Sequence, residues 1–259
     1  MTIHKKPTAT IGIPTYQSQE NISQLLLSLW KQRVQKVDIE KILVYCDGCT
    51  DKTYEFALSL SKLYDKIHIY DGKRNRGYAY ALQYLADKNR SDILVLINDD
   101  IKISSPVVIE NLVNPLLKNP TTGLVSGHVI ALPPKSFVGR CIYTSYLAFA
   151  EMRLNYKRGQ SRLTLDGKIL ALRKEFADSL NLTDFPTGNV DIFIYFENLK
   201  QGRKYNFAKD AKIYYRLPET MADFRNQESR TIKSFALLED HFGDIVRKEW
   251  QVPRKEYFY

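Results

Sequence analysis

Through the first half of the chain, short β-rich runs alternate with longer segments of helical period, and no other feature restricts the fold as strongly. Strands are read at residues 9–14, 39–45, 67–70 and 92–97. Helical spacing fills the gaps: residues 21–33, where Ile22, Leu25, Leu26 and Leu29 share a face, then 51–64 and 78–88. A fourth helix is expected over 106–118, with Pro106 in its first turn. Tandem β-α-β units of this kind specify an α/β fold, a mostly parallel sheet flanked by helices.

The second half is less regular. Residues 123–132 read as extended, Pro133 and Pro134 break the run, and 137–156 is aromatic-rich with helical spacing. Beyond these come a strand at 167–172, a helix at 190–200, a strand at 212–215 and a helix from about 219 onward. No internal repeat or low-complexity linker separates the halves, so the 259 residues read as one domain with two functional lobes, 1–120 and 121–259.

Lys and Arg outnumber Asp and Glu by 38 to 29, so the surface attracts anions, whether phosphates, nucleic acid or acidic lipid. Nucleic acid is set aside because no zinc-finger spacing, basic helix or RNA-binding signature accompanies the charge. The longest aliphatic run, Ile93–Ile97, is far short of the roughly 20 residues of a membrane span, and no charged-then-apolar leader opens the chain. The expectation is a cytoplasmic protein, with contact at the inner face of a membrane left open. Cys46 and Cys49 form a C-x-x-C without the second ligand pair of a zinc site, and with Cys141 they are read as reduced thiols.

In open parallel sheets ligands sit beyond the carboxyl ends of the strands. Here those ends carry Pro14-Thr15-Tyr16, then Asp47 through Asp51, then Asp71 through Arg76, then Asn98-Asp99-Asp100. Asp51 is read as a helix cap. The Asn98-Asp99-Asp100 triplet places adjacent carboxylates at the edge of a buried strand. It reads either as a solvated turn or as a site for a hard cation such as Mg²⁺ or Mn²⁺, which binds through one or two carboxylates plus substrate phosphates.

Together these residues resemble a family. The series Ile11-Gly12-Ile13-Pro14-Thr15-Tyr16, Cys46-Asp47-Gly48-Cys49-Thr50-Asp51, Asn75-Arg76-Gly77 and Asn98-Asp99-Asp100 is similar to the N-terminal half of family 2 glycosyltransferases with the GT-A fold. The resemblance implies a nucleotide-binding lobe in which Thr15 and Asp47 contact the base, Asp99 the ribose, and Asp100 the metal on the diphosphate. Pro14, Tyr16, Asn75, Gly77 and Asn98 are carried over as substrate-binding positions of the same loops. Asn98 stands where the family has its first acid, and Cys46 and Cys49 where it often has Asp and Ser.

The likeness extends to residue 230. The segment opening at Gly167 resembles the stretch where the backbone approaches the donor sugar. Asn189-Val190-Asp191 resembles the acidic pair that supplies the catalytic base, retaining only Asp191. Gln227-Glu228-Ser229-Arg230 resembles the Q-x-x-R-W element of polysaccharide synthases, with Thr231 in place of Trp. The implied activity is inverting transfer of a sugar from a nucleotide-diphospho-sugar to a hydroxyl of a saccharide or lipid-linked acceptor, with Mg²⁺ or Mn²⁺. Without the resemblance, Asp191 is an ordinary acid at a helix start, Gln227 and Arg230 are a solvated face, and His68 and His128 are packed or surface residues. Residues 137–156 fit either a core helix or a helix lying on a membrane surface. Two alternatives remain: a non-catalytic nucleotide- or partner-binding protein of the same fold, and a nucleotidyltransferase.

Overall fold

A computed structural model describes residues 6–185 and 189–250, except for the side chains of residues 230–235. Eight strands, β1 (Thr8–Thr15), β2 (Asp38–Cys46), β3 (Ile67–Asp71), β4 (Ile93–Ile97), β5 (Ile101–Lys102), β6 (Thr122–Leu132), β7 (Ile169–Arg173) and β8 (Lys204–Arg216), form one sheet in the order β3-β2-β1-β4-β7-β6-β8-β5. Strands β1 to β4 are mutually parallel, as the tandem units require. Strand β7 enters between β4 and β6 and runs antiparallel to both. Strand β8 pairs parallel with β6 and antiparallel with β5.

The helices are α1 (Ile22–Trp30), α2 (Thr53–Ser61), α3 (Tyr78–Lys88), α4 (Val108–Lys118), α5 (Phe137–Asn155), α6 (Lys174–Ala177), α7 (Val190–Lys200), α8 (Met221–Phe242) and α9 (Asp244–Trp250). They cover both faces of the sheet, which explains the unbroken apolar run of β4. Ile93, Val95 and Ile97 pack with α1, α2 and α4 on one side, while Leu94 and Leu96 pack with α3, α6 and α7 on the other. Strand β7 alternates in the same way, with Ile169 and Ala171 on the first face and Leu170 and Leu172 on the second.

Most expected elements fall where their periodicity puts them; α1 and α2 each end three residues early, at Trp30 and Ser61, the last helix divides into α8 and α9, and other bounds move too. Helix α4 starts at Val108, so Pro106 precedes it rather than sitting in its first turn. Gly167 and Lys168 lie before β7 rather than in it. The strand expected at 212–215 is 13 residues long, because ladder bonds to β6 extend it across residues with little strand preference of their own. Among the described residues, no helix is long and apolar enough to cross a membrane.

Candidate active site

The carboxyl ends of β1, β2 and β4 are tied into one rim. Thr15 donates its hydroxyl to Asp99 Oδ2 at 2.6 Å, and the Tyr16 amide donates to the same oxygen at 3.1 Å. The Asn21 side chain donates to the carbonyls of Asp99 and Ile101. Asp47 is 4% exposed, and its carboxylate accepts the Arg76 and Gly77 amides, both at 2.8 Å. It therefore holds the loop that carries Asn75 and Gly77 against the end of β2. Gly48, with φ of 69°, lets that loop close in, because a Cβ there would collide with the backbone of Arg74 and Asn75. Asp51 lies one residue before Lys52, the N-cap of α2, so it is not the cap its position suggested; it closes the turn into the helix by accepting the Thr53 amide at 3.0 Å.

Beside this rim lies an open cavity of about 740 Å³. Asn98 and Asp100 reach it from the end of β4, Gly167 from the loop just before β7, Asp191 from the first turn of α7, and Gln227 from α8. Asp100 and Asp191, 91 positions apart in sequence, thus face the same space. Pro14, Thr15, Tyr16, Asp47, Asn75, Gly77 and Asp99 belong to the adjoining rim rather than to the cavity wall. The Arg230 side chain lies outside the described residues.

Gly167 sets the position of Asp191. Its amide donates to Asp191 Oδ2 at 3.1 Å, and a Cβ at Gly167 would stand 2.8 Å from Asp191 Cβ, closer than such atoms approach. Burial pushes the Asp191 carboxyl above its ordinary range; Asp166 adds to this, and the Ile192 and Gly167 amides oppose it. Asp100 is also raised, first by burial and further by Asp166, with Lys168 pulling the other way. Burial raises Asp99 to about 6 against the hydrogen bonds from Thr15 and Tyr16.

Further wall residues were not assigned a role from the sequence. Tyr78 donates its hydroxyl to Asn98 Oδ1 at 2.7 Å, and burial raises its pKa. Asp166 is pinned by Ser126, whose Oγ accepts its amide at 3.1 Å, and it stands 3.9 Å from the Lys168 ammonium. Asn189 presents an amide nitrogen that is shielded from solvent and has no hydrogen-bond partner among the described residues. Of these, Asn189 alone carried a signal, its place two residues before Asp191.

The wall offers oxygen donors on a few carboxylates. Among the described residues no three His, Cys, Asp or Glu side chains gather into a cage. That donor set suits a hard divalent ion whose remaining ligands come from phosphate and water, and does not suit a structural zinc.

Fold and site together define an α/β protein with a polar cleft at the carboxyl edge of a mostly parallel sheet. The sequence model of glycosyl transferase family 2 matches residues 10–179, and the chain belongs to that family. A mannosyltransferase from Pyrobaculum calidifontis, in complex with GDP-Man and Mn²⁺, has the same fold with a TM-score of 0.69 at 18% identity; the match covers 90% of this chain and 64% of that one. Glucosyl-3-phosphoglycerate synthase from Mycobacterium tuberculosis, in complex with Mn²⁺, UDP and phosphoglyceric acid, gives a TM-score of 0.65 at 17% identity, covering 92% and 79%. The same synthase was also solved with Mg²⁺ and UDP. No curated protein sequence matches the chain.

Proposed function

We propose that the chain transfers a sugar from a nucleotide-diphospho-sugar to a hydroxyl of a saccharide or lipid-linked acceptor, inverting the anomeric centre. The observation that carries this reading is that Asp100 and Asp191 face one cavity. Asp191 takes the proton from the acceptor hydroxyl as its oxygen bonds to the anomeric carbon. The bond from that carbon to the phosphate oxygen breaks on the opposite side, and the nucleoside diphosphate leaves. The raised pKa of Asp191 makes it a better proton acceptor than an ordinary carboxylate, and its bond to the Gly167 amide fixes its direction.

Asp100 would hold Mg²⁺ or Mn²⁺, and the bound ion supplies positive charge against the departing diphosphate. The solved mannosyltransferase and synthase complexes, which contain such ions with nucleotides, support this assignment. Thr15 and Asp99 would face the nucleoside, with Asp47 holding the loop of Asn75 and Gly77 beneath it. Gln227, on the cavity wall, would meet the diphosphate, the partner that the family resemblance gives to Arg230 as well. Asn189 Nδ2 would donate to an oxygen of the bound sugar.

The test is to screen nucleotide-sugars for thermal stabilisation with Mn²⁺ and follow turnover of the best one. Asp100→Ala is expected to remove the difference in nucleotide affinity between Mn²⁺ and chelator. Equal wild-type affinity in both conditions would overturn the metal assignment.

A further inference from the structure

Helix α5 has 19 residues, all of them described, yet only Gly139 is buried. One side rests on the sheet through Ile142, Tyr143 and Tyr146, and the Tyr146 hydroxyl donates to the Val129 carbonyl at 2.7 Å. The other side faces out with Phe137 at 73%, Leu147 at 51% and Phe149 at 52% exposure, interleaved with exposed Cys141, Thr144, Ser145 and Ala148 and with only two charges, Arg140 and Glu151. A helix face meant for water carries more charge than this. Met221, 48% exposed at the start of α8, joins the same corner. The corner is fixed because Glu219 accepts the Lys135 and Ser136 amides at 3.0 and 2.8 Å.

The charge along this stretch of chain is mostly basic. Residues 135–158 contain five cations and a single acid, Glu151. Arg153 turns inward over the Tyr146 ring, and Lys157 pairs with Glu249 at 3.2 Å. Lys135, Arg140 and Arg158 are exposed and have no ion-pair partner among the described residues. Two copies of this face would oppose like charges across a two-fold axis, so self-association is disfavoured there. Exposed aromatic and aliphatic side chains rimmed by Lys and Arg match the chemistry of an anionic lipid surface. A second opening, lined by Pro133, Pro134 and Lys135, shares Arg216, Leu217 and Glu219 with the wall of the main cavity.

We propose that the outer face of α5, with Phe137 and Met221 at its corner, docks on an anionic bilayer and turns this second opening toward an acceptor held in the membrane. The acceptor part rests on the glycosyl-transfer reading above; the docking part does not. The test is sedimentation of the full chain with vesicles of phosphatidylcholine alone or mixed with phosphatidylglycerol. Wild type is expected to pellet with the mixed vesicles, less so at high salt, and to stay in solution with the neutral ones. Each basic residue near such a surface contributes about five-fold, so Arg140→Glu with Arg158→Glu should weaken partition at least ~25-fold. Phe137→Asp with Phe149→Asp should also abolish it, while circular dichroism and nucleotide binding in solution match wild type for both double variants. No pelleting with mixed vesicles, equal pelleting with neutral ones, or undiminished binding by the charge variant overturns the proposal. So does light scattering that shows the aromatic variant breaking a dimer. Absence of sugar transfer with intact vesicle binding would count against the reaction and leave the docking standing.

Discussion

At the scale of single residues, burial and hydrogen bonds make distinct demands on the cavity carboxyls. A general base must be ionised, so transfer should rise with pH along a limb set by Asp191, above the ordinary carboxylate range because burial raises that group. A pH-rate profile on the metal-loaded enzyme checks this, and a limb at an unperturbed carboxylate position contradicts it. Asp99, held at about 6, binds a proton more tightly folded than unfolded. Its neutral form therefore favours the fold, a contribution fully present below the unfolded carboxyl's pKa and lost as pH rises through about 6. Thr15→Val removes a hydrogen bond to the ionised form and should move Asp99 higher still, readable by NMR titration of the metal-free protein. Asn189 offers the opposite case. Deleting a shielded donor that bonds nothing among the described residues spares a desolvation cost, so Asn189→Ala should leave the melting temperature unchanged or higher while transfer falls. A drop in stability with normal transfer would show that the amide serves the fold.

At the scale of elements, two glycines place the loops that matter. Gly167→Ala drives a Cβ into Asp191, so the turnover number should fall with little change in nucleotide affinity. Gly48→Ala strains a left-handed turn and pushes on the loop of Asn75; it should cost about 1–3 kcal/mol in chemical denaturation and weaken nucleotide binding as well. The first four strands and their helices were legible because period and punctuation are local properties of the chain. Strand β7 gave no sign of running antiparallel between β4 and β6, and β5, of two residues, has no pattern of its own. Strand β8 owes most of its length to its ladder with β6. Asp100 and Asp191 were legible by place in a series, the one after an apolar strand and the other at a helix start. Tyr78 was not, since its role depends on the start of α3 lying opposite the end of β4, a relation no local pattern encodes.

At the scale of the whole molecule, one sheet brings an acid from each half of the chain to a common space, and part of the excess of basic residues flanks α5 at Lys135, Lys157 and Arg158. The first lobe's tied rim is suited to binding and the second lobe's acid to proton transfer, so the two activities should separate by mutation. The most direct measurement is a paired one on Asp191→Asn: nucleotide-sugar affinity by calorimetry with Mn²⁺, and transfer rate to acceptor under the same conditions. Binding should stay near wild type while transfer drops by a factor of about 10² to 10⁴. Transfer at the wild-type rate would contradict the account.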